Sequence, residues 1–276
     1  MSNSILVLGG TGKTGRRVAE RLEQRNIPVR IGSRNARPSF DWNQPSGWPE
    51  VLEGISKVYI TYQPDLAVPG SADAISAFIE AAKKARIQKL VLLSGRGEKE
   101  AQTCESIVAD SGMDWTIVRA NWFMQNFSEG FFVESIIAGE LVIPDVNARD
   151  PFVHADDIAD VVVAALTDDA HSKKTYELTG PSLLSFEKAV DIIASETGRP
   201  VAFRKVSMHE YGKMLREYQV PEDYIWLVKY LFSEVMDGRN ESVTGDVKTI
   251  LGREPVSFED FVTENTKAGA WNSPAI

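Results

Sequence analysis

The sequence predicts an α/β fold in which a parallel sheet carries helices on both faces. Through the first two-thirds of the chain, short apolar runs rich in β-branched residues alternate with segments whose apolar residues have helical spacing. Continuous apolar runs are typical of strands covered on both faces, and their alternation with helices indicates βαβ units. The predicted strands lie at 5–8, 29–31, 58–61, 90–93, 116–118 and 175–179. The predicted helices lie at 14–24, 71–85, 101–111 and 155–166.

A glycine-rich turn joins the first predicted strand to the first helix, and two phosphate-binding loops could account for it. Residues 9–15 read Gly-Gly-Thr-Gly-Lys-Thr-Gly. The segment Gly12-Lys13-Thr14 resembles the end of a P-loop, which needs another glycine five residues before Gly12. Val7 occupies that position inside the strand, and a β-branched residue fits a tight turn poorly. The P-loop interpretation is therefore disfavoured.

The same glycines fit a loop that binds the pyrophosphate of a dinucleotide. Gly9 ends the strand and allows a tight turn, Gly12 lets the backbone approach a phosphate, and Gly15 lets the helix pack on the strand. The helix that begins near Lys13 directs its free N–H groups toward the anion. This interpretation is preferred because the glycines follow a strand and open a helix within a βαβ unit. The predicted fold is a Rossmann-type doubly wound parallel sheet.

The end of the second predicted strand indicates which dinucleotide is bound. An NAD site usually has Asp or Glu there, holding the ribose hydroxyls. Ser33 and Arg34 occupy this place, so no carboxylate repels a 2′-phosphate. Arg34 can form charge-assisted bonds to that phosphate, Ser33 adds a hydroxyl, and Arg37 lies close by. The sequence therefore predicts NADPH (NADP) rather than NADH as the cofactor.

The pattern changes after Gly180-Pro181. Beyond this point the predicted elements are helices at 185–198, 211–218, 224–236 and from Ser257, with a strand-like piece at 201–206. We therefore predict an NAD(P)-binding Rossmann domain over 1–180 and a smaller, mainly helical C-terminal substrate lobe over 181–276. Residues 122–150 are expected to contribute in part to the substrate cleft.

The composition is that of an ordinary globular protein. Of 276 residues, 43% are hydrophobic and 25% are charged, and the net charge of −9 disfavours nucleic acid or an anionic membrane as a partner. The lone Cys104 excludes an intrachain disulfide. No secretion leader is evident, and no apolar run approaches the roughly 20 residues that a membrane helix needs. We expect a cytoplasmic monomer or homodimer that acts on a small-molecule substrate.

Several segments of the chain resemble the NmrA-like branch of atypical short-chain dehydrogenases. The segments are the glycine loop, Phe40-Asp41-Trp42, Leu92-Leu-Ser-Gly95, Asp114–Phe127, Pro151–Ala159 and Leu178-Thr-Gly-Pro181, which together span nearly the whole chain. Within this branch the sequence is most similar to the group that contains fungal ergot-alkaloid reductases, the festuclavine and agroclavine dehydrogenases. Triphenylmethane reductases and small quinone reductases are more distant relatives.

The resemblance implies a set of contacts at the carboxyl ends of the parallel strands, where ligands bind in such sheets. The implied cofactor-binding residues are Gly9, Thr11, Gly12, Lys13 and Thr14 at the pyrophosphate, Ser33 and Arg34 at the 2′-phosphate, Asp41 and Trp42 after a third strand near the adenine, Thr61 and Tyr62 at the ribose, and Ser94, Gly95 and Asn121 at the nicotinamide. The implied substrate-binding residues are Trp122, Phe123 and Phe127, for which packing in the core is the alternative.

The sequence does not identify a catalytic residue. Most short-chain dehydrogenases use a Tyr-x-x-x-Lys pair in which the lysine lowers the tyrosine pKa for proton transfer. None of the seven tyrosines has Lys four residues later, and Ala101 stands where many NmrA-like members keep a lysine. The three histidines are dispersed without metal-ligand spacing, so no metal site is predicted.

The missing pair shapes the predicted function. A conjugated, quinone-like or iminium-like acceptor takes up hydride without such a donor, so we predict an NADPH-dependent reductase of this kind. The alternative is a non-catalytic NADP(H)-binding redox sensor or regulator of the NmrA type. A sugar-nucleotide epimerase is disfavoured because it would need the missing pair.

Overall fold

The computed structural model describes residues 4–272, which fall into two compact units. Unit 1 comprises the described residues up to Ala120 together with Ala155–Leu178 and Asp246–Gly252. Unit 2 comprises Asn121–His154, Thr179–Gly245 and the described residues from Arg253 onward. Segments from both sides of residue 180 thus lie in unit 2, and the domain boundary at 180 stays a prediction.

Eight strands and eleven α-helices make up the described chain. The strands are β1 Ser4–Leu8, β2 Val29–Gly32, β3 Ile55–Ile60, β4 Lys89–Gly95, β5 Asp114–Ala120, β6 Glu140–Pro144, β7 Lys174–Leu178 and β8 Ala202–Val206. The helices are α1 Lys13–Gln24, α2 Trp48–Leu52, α3 Ser71–Lys84, α4 Lys99–Ala109, α5 Val133–Ile137, α6 Ala155–Thr167, α7 Phe186–Thr197, α8 Met208–Glu217, α9 Glu222–Tyr230, α10 Asp246–Leu251 and α11 Phe258–Lys267.

Unit 1 is built on a six-stranded parallel sheet in the order β2-β1-β3-β4-β5-β7. This arrangement confirms the predicted Rossmann-type doubly wound fold. The chain passes from β1 to β2 on one side and returns to β3 on the other, so the strand order reverses at the β1/β3 boundary. Ligands of open α/β sheets bind outside the carboxyl ends of the strands at such a boundary.

The resemblance implies a third strand before Asp41, and this expectation is wrong. In the described chain, β3 begins at Ile55 and no strand lies between it and β2. Residues 33–44 instead form an irregular loop, followed by a 3₁₀ turn and the short helix α2. The physical reason is local, because residues 33–44 contain two Ser, two Asn and one Pro and have no continuous apolar run.

Both faces of the sheet in unit 1 are covered. On one face, α1 and α6 pack together, and Arg17 and Arg21 of α1 pair with Asp156 of α6 at 3.0 and 2.9 Å. On the other face, helices α2–α4 enclose a buried apolar cluster with the strands, and Trp48 and Phe78 are its largest fully buried members. The sheet is therefore rigidly held, and its strand ends are fixed points for a binding site.

Unit 2 has its own aromatic core and a two-stranded parallel sheet of β6 and β8. The predicted helix ends form as expected: the side chains of Ser185 and Ser257 cap α7 and α11, and Gly198 ends α7 with a φ of +64°. The structure adds a cap by Ser207 on α8. The helix predicted over 224–236 instead ends at Tyr230 and continues as a π-helical turn. No helix within residues 4–272 is long and apolar enough to cross a membrane.

Candidate functional site

Glycines shape the loop between β1 and α1. Gly9 has a φ of +62°, which favours glycine, and a Cβ there would overlap the hydroxyl of Thr61. A Cβ on Gly15 would overlap the Gly9 carbonyl oxygen and lie 2.7 Å from the Gly9 carbonyl carbon, so its absence lets α1 begin directly against the loop. Gly12 precedes α1 in an extended conformation, and no side chain caps this helix end. The amino end of α1 can therefore present N–H groups to an anion.

The other predicted residues of this loop differ in exposure. Thr11 is exposed and Lys13 half-buried, whereas Thr14 is buried. The Tyr59 hydroxyl donates a hydrogen bond to the Thr14 hydroxyl at 3.0 Å inside the unit. Burial raises the pKa of Tyr59, so this tyrosine stays protonated as a structural donor. With its hydroxyl engaged there, Thr14 has its backbone N–H for the predicted phosphate contact.

The end of β2 lies against the glycine loop. The N–H groups of Gly9 and Gly10 donate to the carbonyl of Gly32 at 2.9 and 3.4 Å. Ser33 and Arg34 follow directly, and the Arg34 side chain is exposed and makes no hydrogen bond or ion pair with any residue in the range 4–272. The structure thus brings the predicted 2′-phosphate residues next to the predicted pyrophosphate loop, with a guanidinium available for a ligand.

An aromatic cluster holds the loop that contains Asp41 and Trp42. The ring of Trp42 lies 5.0 Å from that of Tyr62 and 5.1 Å from that of Phe40, centroid to centroid. Its Nε1 donates to the carbonyl of Thr61 at 3.3 Å. The backbone carbonyl of Asp41 accepts from Trp48 Nε1 at 2.9 Å. These contacts fix the loop beside the end of β3 although no further strand lies between β2 and Asp41.

Thr61 and Tyr62 follow β3 and complete the same edge. The Thr61 hydroxyl donates to the carbonyl of Leu8 at 3.0 Å, which ties the end of β3 to the end of β1 at the strand-order reversal. Burial raises the pKa of Tyr62, and the neighbouring Cys104 adds to the effect. Tyr62 is therefore a neutral, half-buried ring at this edge rather than a base.

Ser94 is the next-to-last residue of β4 and belongs to a polar network. Its hydroxyl donates to Glu105 of α4 at 2.7 Å. Arg119 of β5 holds the same carboxylate through Nε at 2.9 Å and Nη2 at 2.6 Å, and its Nη1 reaches Glu177 at 3.2 Å. Arg96 completes the network by donating to Glu177 at 2.8 Å. The hydrogen bonds that Arg119 donates to Glu105 raise the pKa of Arg119, so the cation is permanent. The network fixes Ser94 in one orientation at the carboxyl end of the sheet.

Sequence reasoning missed one pair of residues at this edge, Asp65 and Glu98. Glu98 is 6% exposed, and its carboxyl group fills the space that a Cβ on Gly95 would occupy. Burial raises the pKa of both carboxyl groups, and the charge of Asp65 raises that of Glu98 further. A partial signal exists in the sequence, because glycines at 95 and 97 allow a tight turn before Glu98, but nothing in it pairs Glu98 with Asp65.

The predicted residues after β5 lie in unit 2. Asn121 is buried, and its Nδ2 donates to Asp150 at 3.0 Å. Phe123 is partly exposed and forms an isolated parallel bridge with Val153. Trp122 is partly exposed, with its ring 5.1 Å from that of Phe232. Within unit 2, Trp122 and Phe123 retain accessible surface for the predicted substrate contact.

Phe127 has a different environment from Trp122. Its side chain is fully buried and packs edge-on against Phe152 and Phe258 at 5.3 Å. A side chain without accessible surface in its own unit has nothing to offer a substrate directly. The structure therefore gives Phe127 the core position that was the alternative for this aromatic cluster.

The parallel sheet and the glycine loop at its strand-order reversal define a dinucleotide-binding protein. Residues 9–169 match the model of a family described as NAD(P)H-binding, which is more than half of the chain. The chain belongs to this NAD(P)H-binding family.

Two relatives that align over nearly the whole chain show which members of the family it resembles. Agroclavine dehydrogenase of Claviceps fusiformis is 30% identical over 95% of this chain and 97% of that protein. Prestalk A differentiation protein A of Dictyostelium discoideum is 29% identical over 99% of this chain and 97% of that protein. The predicted resemblance to the ergot-alkaloid reductase group is thereby confirmed, and the family is one of NAD(P)H-dependent oxidoreductases.

A solved structure supports the fold. An NADPH-dependent quinone oxidoreductase from Escherichia coli, solved with NADPH, superposes with a TM-score of 0.80 at 18% identity, covering 94% of this chain and 99% of that chain. At this identity the likeness concerns the architecture, which agrees with the doubly wound sheet of unit 1.

Proposed function

We propose that unit 1 binds NADPH along the carboxyl edge of its sheet. The observation that carries the proposal is Arg34, an exposed guanidinium without a protein partner in the described chain, directly after β2 and beside the glycine loop. The uncapped amino end of α1 suits the pyrophosphate, and Ser33 with Arg34 suits the 2′-phosphate. When bound, the cofactor supplies the hydride, while the residues of this chain bind and orient it and exclude water.

The cofactor assignment is tested by calorimetric titration of NADPH and NADH into the wild type and two variants. Arg34→Ala is expected to weaken NADPH binding by about tenfold or more and to leave NADH binding nearly unchanged, because only NADPH carries the 2′-phosphate. Arg25→Ala removes the same charge at the far end of α1, about 18 Å along the helix, and is the matched control. An unchanged preference for NADPH over NADH in Arg34→Ala would refute the assignment.

We further propose that the protein reduces a small conjugated, quinone-like or iminium-like substrate without a tyrosine–lysine relay. Helix α4, where that pair is expected, contains no tyrosine, and Ala101 is fully buried in the apolar cluster. The buried Tyr59 hydroxyl is engaged with Thr14, and Tyr62 has a raised pKa, so neither tyrosine serves as a base. An acceptor that is already cationic or strongly polarised suits this chemistry, since orientation and exclusion of water remain the protein's tasks.

We assign the substrate contacts to unit 2, with Trp122 as the main one. Its partly exposed ring stands among Phe132, Phe186 and Phe232, which hold it in place. A fixed indole face suits a flat apolar or cationic substrate. Trp122→Leu is expected to raise KM for such a substrate more than it lowers kcat, and an unchanged KM would remove Trp122 from the site.

The activity is tested by following NADPH oxidation with quinones, cationic dyes and cyclic imines in turn. Turnover with one of these classes, lost together with NADPH binding in Gly12→Ala, supports the reductase. Tight NADPH binding without turnover in any class would favour the sensor instead. A specific observation keeps the sensor as the second candidate: one relative that aligns over nearly the whole chain is named a differentiation protein and not a reductase.

A further inference from the structure

Asp65 and Glu98 place two carboxyl groups beside the residues predicted to meet the nicotinamide. Asp65 follows β3 shortly after Tyr62, and Glu98 follows β4 shortly after Gly95. Because β3 and β4 are parallel neighbours, both loops leave the sheet at the same edge. The proposed cofactor site lies along this edge.

The space around Glu98 is shaped for its carboxyl group. A Cβ on residue 95 would overlap the Glu98 carboxyl group, so glycine at this position is what admits it. Glu98 is only 6% exposed, and its Oε2 is buried and accepts no hydrogen bond from an N–H or O–H group within residues 4–272. An ionised carboxylate buried in this way would be costly, so the group is expected to carry or share a proton.

The second carboxyl group accounts for that proton. The charge of Asp65 raises the pKa of the buried Glu98 carboxyl group, so one proton between the two groups removes their repulsion. Asp65 also accepts from the N–H of Ala67 at 2.8 Å, which favours the negative charge on Asp65 and the proton on Glu98.

The charged groups around Glu98 also favour its protonated form. Burial raises the pKa of Glu98 well above its ordinary value, and the charges of Asp65, Glu100 and Glu105 raise it further. The thiol of Cys104 donates to the Ser71 hydroxyl, and burial raises its pKa, with a further contribution from the charge of Asp65. The cation on the neighbouring strand, Arg119, is held by Glu105 and Glu177.

We propose that Asp65 and Glu98 form a redox-linked proton site: the pair holds one proton while the reduced cofactor is bound and releases it when the cofactor is oxidised. The inference rests on the proposed function, with the nicotinamide end of the cofactor at Ser94 and Gly95. The nicotinamide ring is positively charged when oxidised and neutral when reduced, and a nearby positive charge favours the ionised carboxylate.

The pair can also supply the proton that the reduction of a neutral acceptor requires. Such a reduction adds a hydride, with both electrons, from the cofactor to carbon and one proton to the oxygen or nitrogen, whose π bond to carbon breaks. The pair supplies that proton and regains one from water after the oxidised cofactor leaves. A cationic acceptor is neutralised by the hydride alone, and the proton then leaves to water.

The test counts protons during cofactor binding. NADP⁺ and NADPH are titrated calorimetrically at one pH in two buffers with different ionisation enthalpies, and the series is repeated at several pH values around neutrality. In the wild type, NADP⁺ is expected to release about one proton more than NADPH, so the ratio of the two dissociation constants shifts about tenfold per pH unit in this range.

Two variants and a control identify the source of the proton. Glu98→Gln keeps the shape of the side chain but cannot titrate, and it is expected to bind both cofactors with equal proton counts. Asp65→Asn provides a second route to the same result if Glu98→Gln does not fold. Asp110→Asn removes an exposed carboxylate at the end of α4 and is expected to keep the wild-type difference.

The outcomes separate the inference from the proposed function. If neither cofactor binds the wild type, the proposed function fails and the inference fails with it. If both bind with equal proton counts in the wild type, the inference alone is overturned. Infrared spectra give an independent readout, since the carbonyl band of a protonated carboxyl group should be present with NADPH and lost with NADP⁺. Persistence of that band in both complexes would also overturn the inference.

Discussion

Two alanine substitutions in the glycine loop separate the packing role of one glycine from the ligand role of another. A Cβ on Gly15 would overlap the Gly9 carbonyl oxygen and lie 2.7 Å from its carbon and 2.9 Å from the Cα of Gly10. Ordinary contacts begin at 3.4 Å, so α1 must retreat from the loop by at least 0.7 Å at the carbonyl carbon. Overpacking against backbone costs up to about 3 kcal/mol, and the helix preference of alanine returns about 1 kcal/mol. We therefore expect Gly15→Ala to lower the free energy of unfolding by about 2 kcal/mol.

Gly12→Ala is the matched control because it adds the same methyl group three residues earlier. Its φ of −86° suits alanine, and its nearest neighbour, the Gly9 carbonyl oxygen, would lie 3.2 Å away. The cost to the cofactor-free protein is expected to be below about 1 kcal/mol. The methyl group would instead occupy the space proposed for the pyrophosphate, so NADPH affinity should fall by about tenfold or more.

The assay is thermal unfolding with and without NADPH, followed by calorimetric titration. Without cofactor, Gly15→Ala is expected to melt about 4–8 °C below the wild type, and Gly12→Ala within about 3 °C of it. Addition of NADPH should raise the melting temperature of the wild type but hardly that of Gly12→Ala. A Gly15→Ala protein as stable as the wild type would refute the close approach of α1. A Gly12→Ala protein that binds NADPH normally would refute the loop as the cofactor site.

Three further predictions concern parts of the protein outside this loop. Arg119→Met leaves the buried carboxylate of Glu105 without its cation. Urea unfolding should show that the free energy of unfolding falls by about 2 kcal/mol, a moderate loss because Arg119 itself is partly exposed. An unchanged unfolding midpoint would contradict this. Ser185→Ala removes the side-chain cap of α7 and should lower the free energy of unfolding by about 1 kcal/mol in the same assay. A stability equal to that of the wild type would refute this prediction. Burial raises the pKa of Asp114, but hydrogen bonds from Ser172 and Lys89 outweigh burial and lower it. The ionised Asp114 therefore stabilises the fold at any pH above its pKa in the unfolded chain. This stabilisation is lost as the pH falls through its pKa in the folded protein. Acid titration of stability should therefore be flatter in Asp114→Asn, and an identical profile would exclude the contribution.

Local signals explain why most of the fold could be predicted. Ser185 with Gly198, and Ser257, mark helix ends that depend on a few neighbouring residues, and each cap forms as the sequence indicates. The apolar runs that predicted the strands are buried on both faces, as in β4, where Leu90, Val91 and Leu92 have no exposed surface. The third strand before Asp41 failed because it was inferred from the resemblance, without an apolar run to support it.

The candidate site was predicted only where one segment determines the geometry. Gly9 and Gly15 have the conformation and the close approach that their spacing indicates. The pairing of Asp65 with Glu98 depends on the packing of two loops that are distant in the sequence, and carboxylates in loops are ordinarily solvated. Phe127 and Trp122 belong to one aromatic run, and only tertiary packing decides that the first is fully buried and the second is not.

The most direct test of the central claim is transfer of deuterium from NADPH labelled at C4 of the nicotinamide. The purified protein is mixed with the labelled cofactor and an acceptor from the quinone, cationic dye or imine class, and the product is examined by mass spectrometry. Deuterium is expected on a carbon of the reduced product with the wild type, and at a much lower level with Gly12→Ala. Bound NADPH that transfers no deuterium to any of these acceptors would contradict the assignment as a reductase.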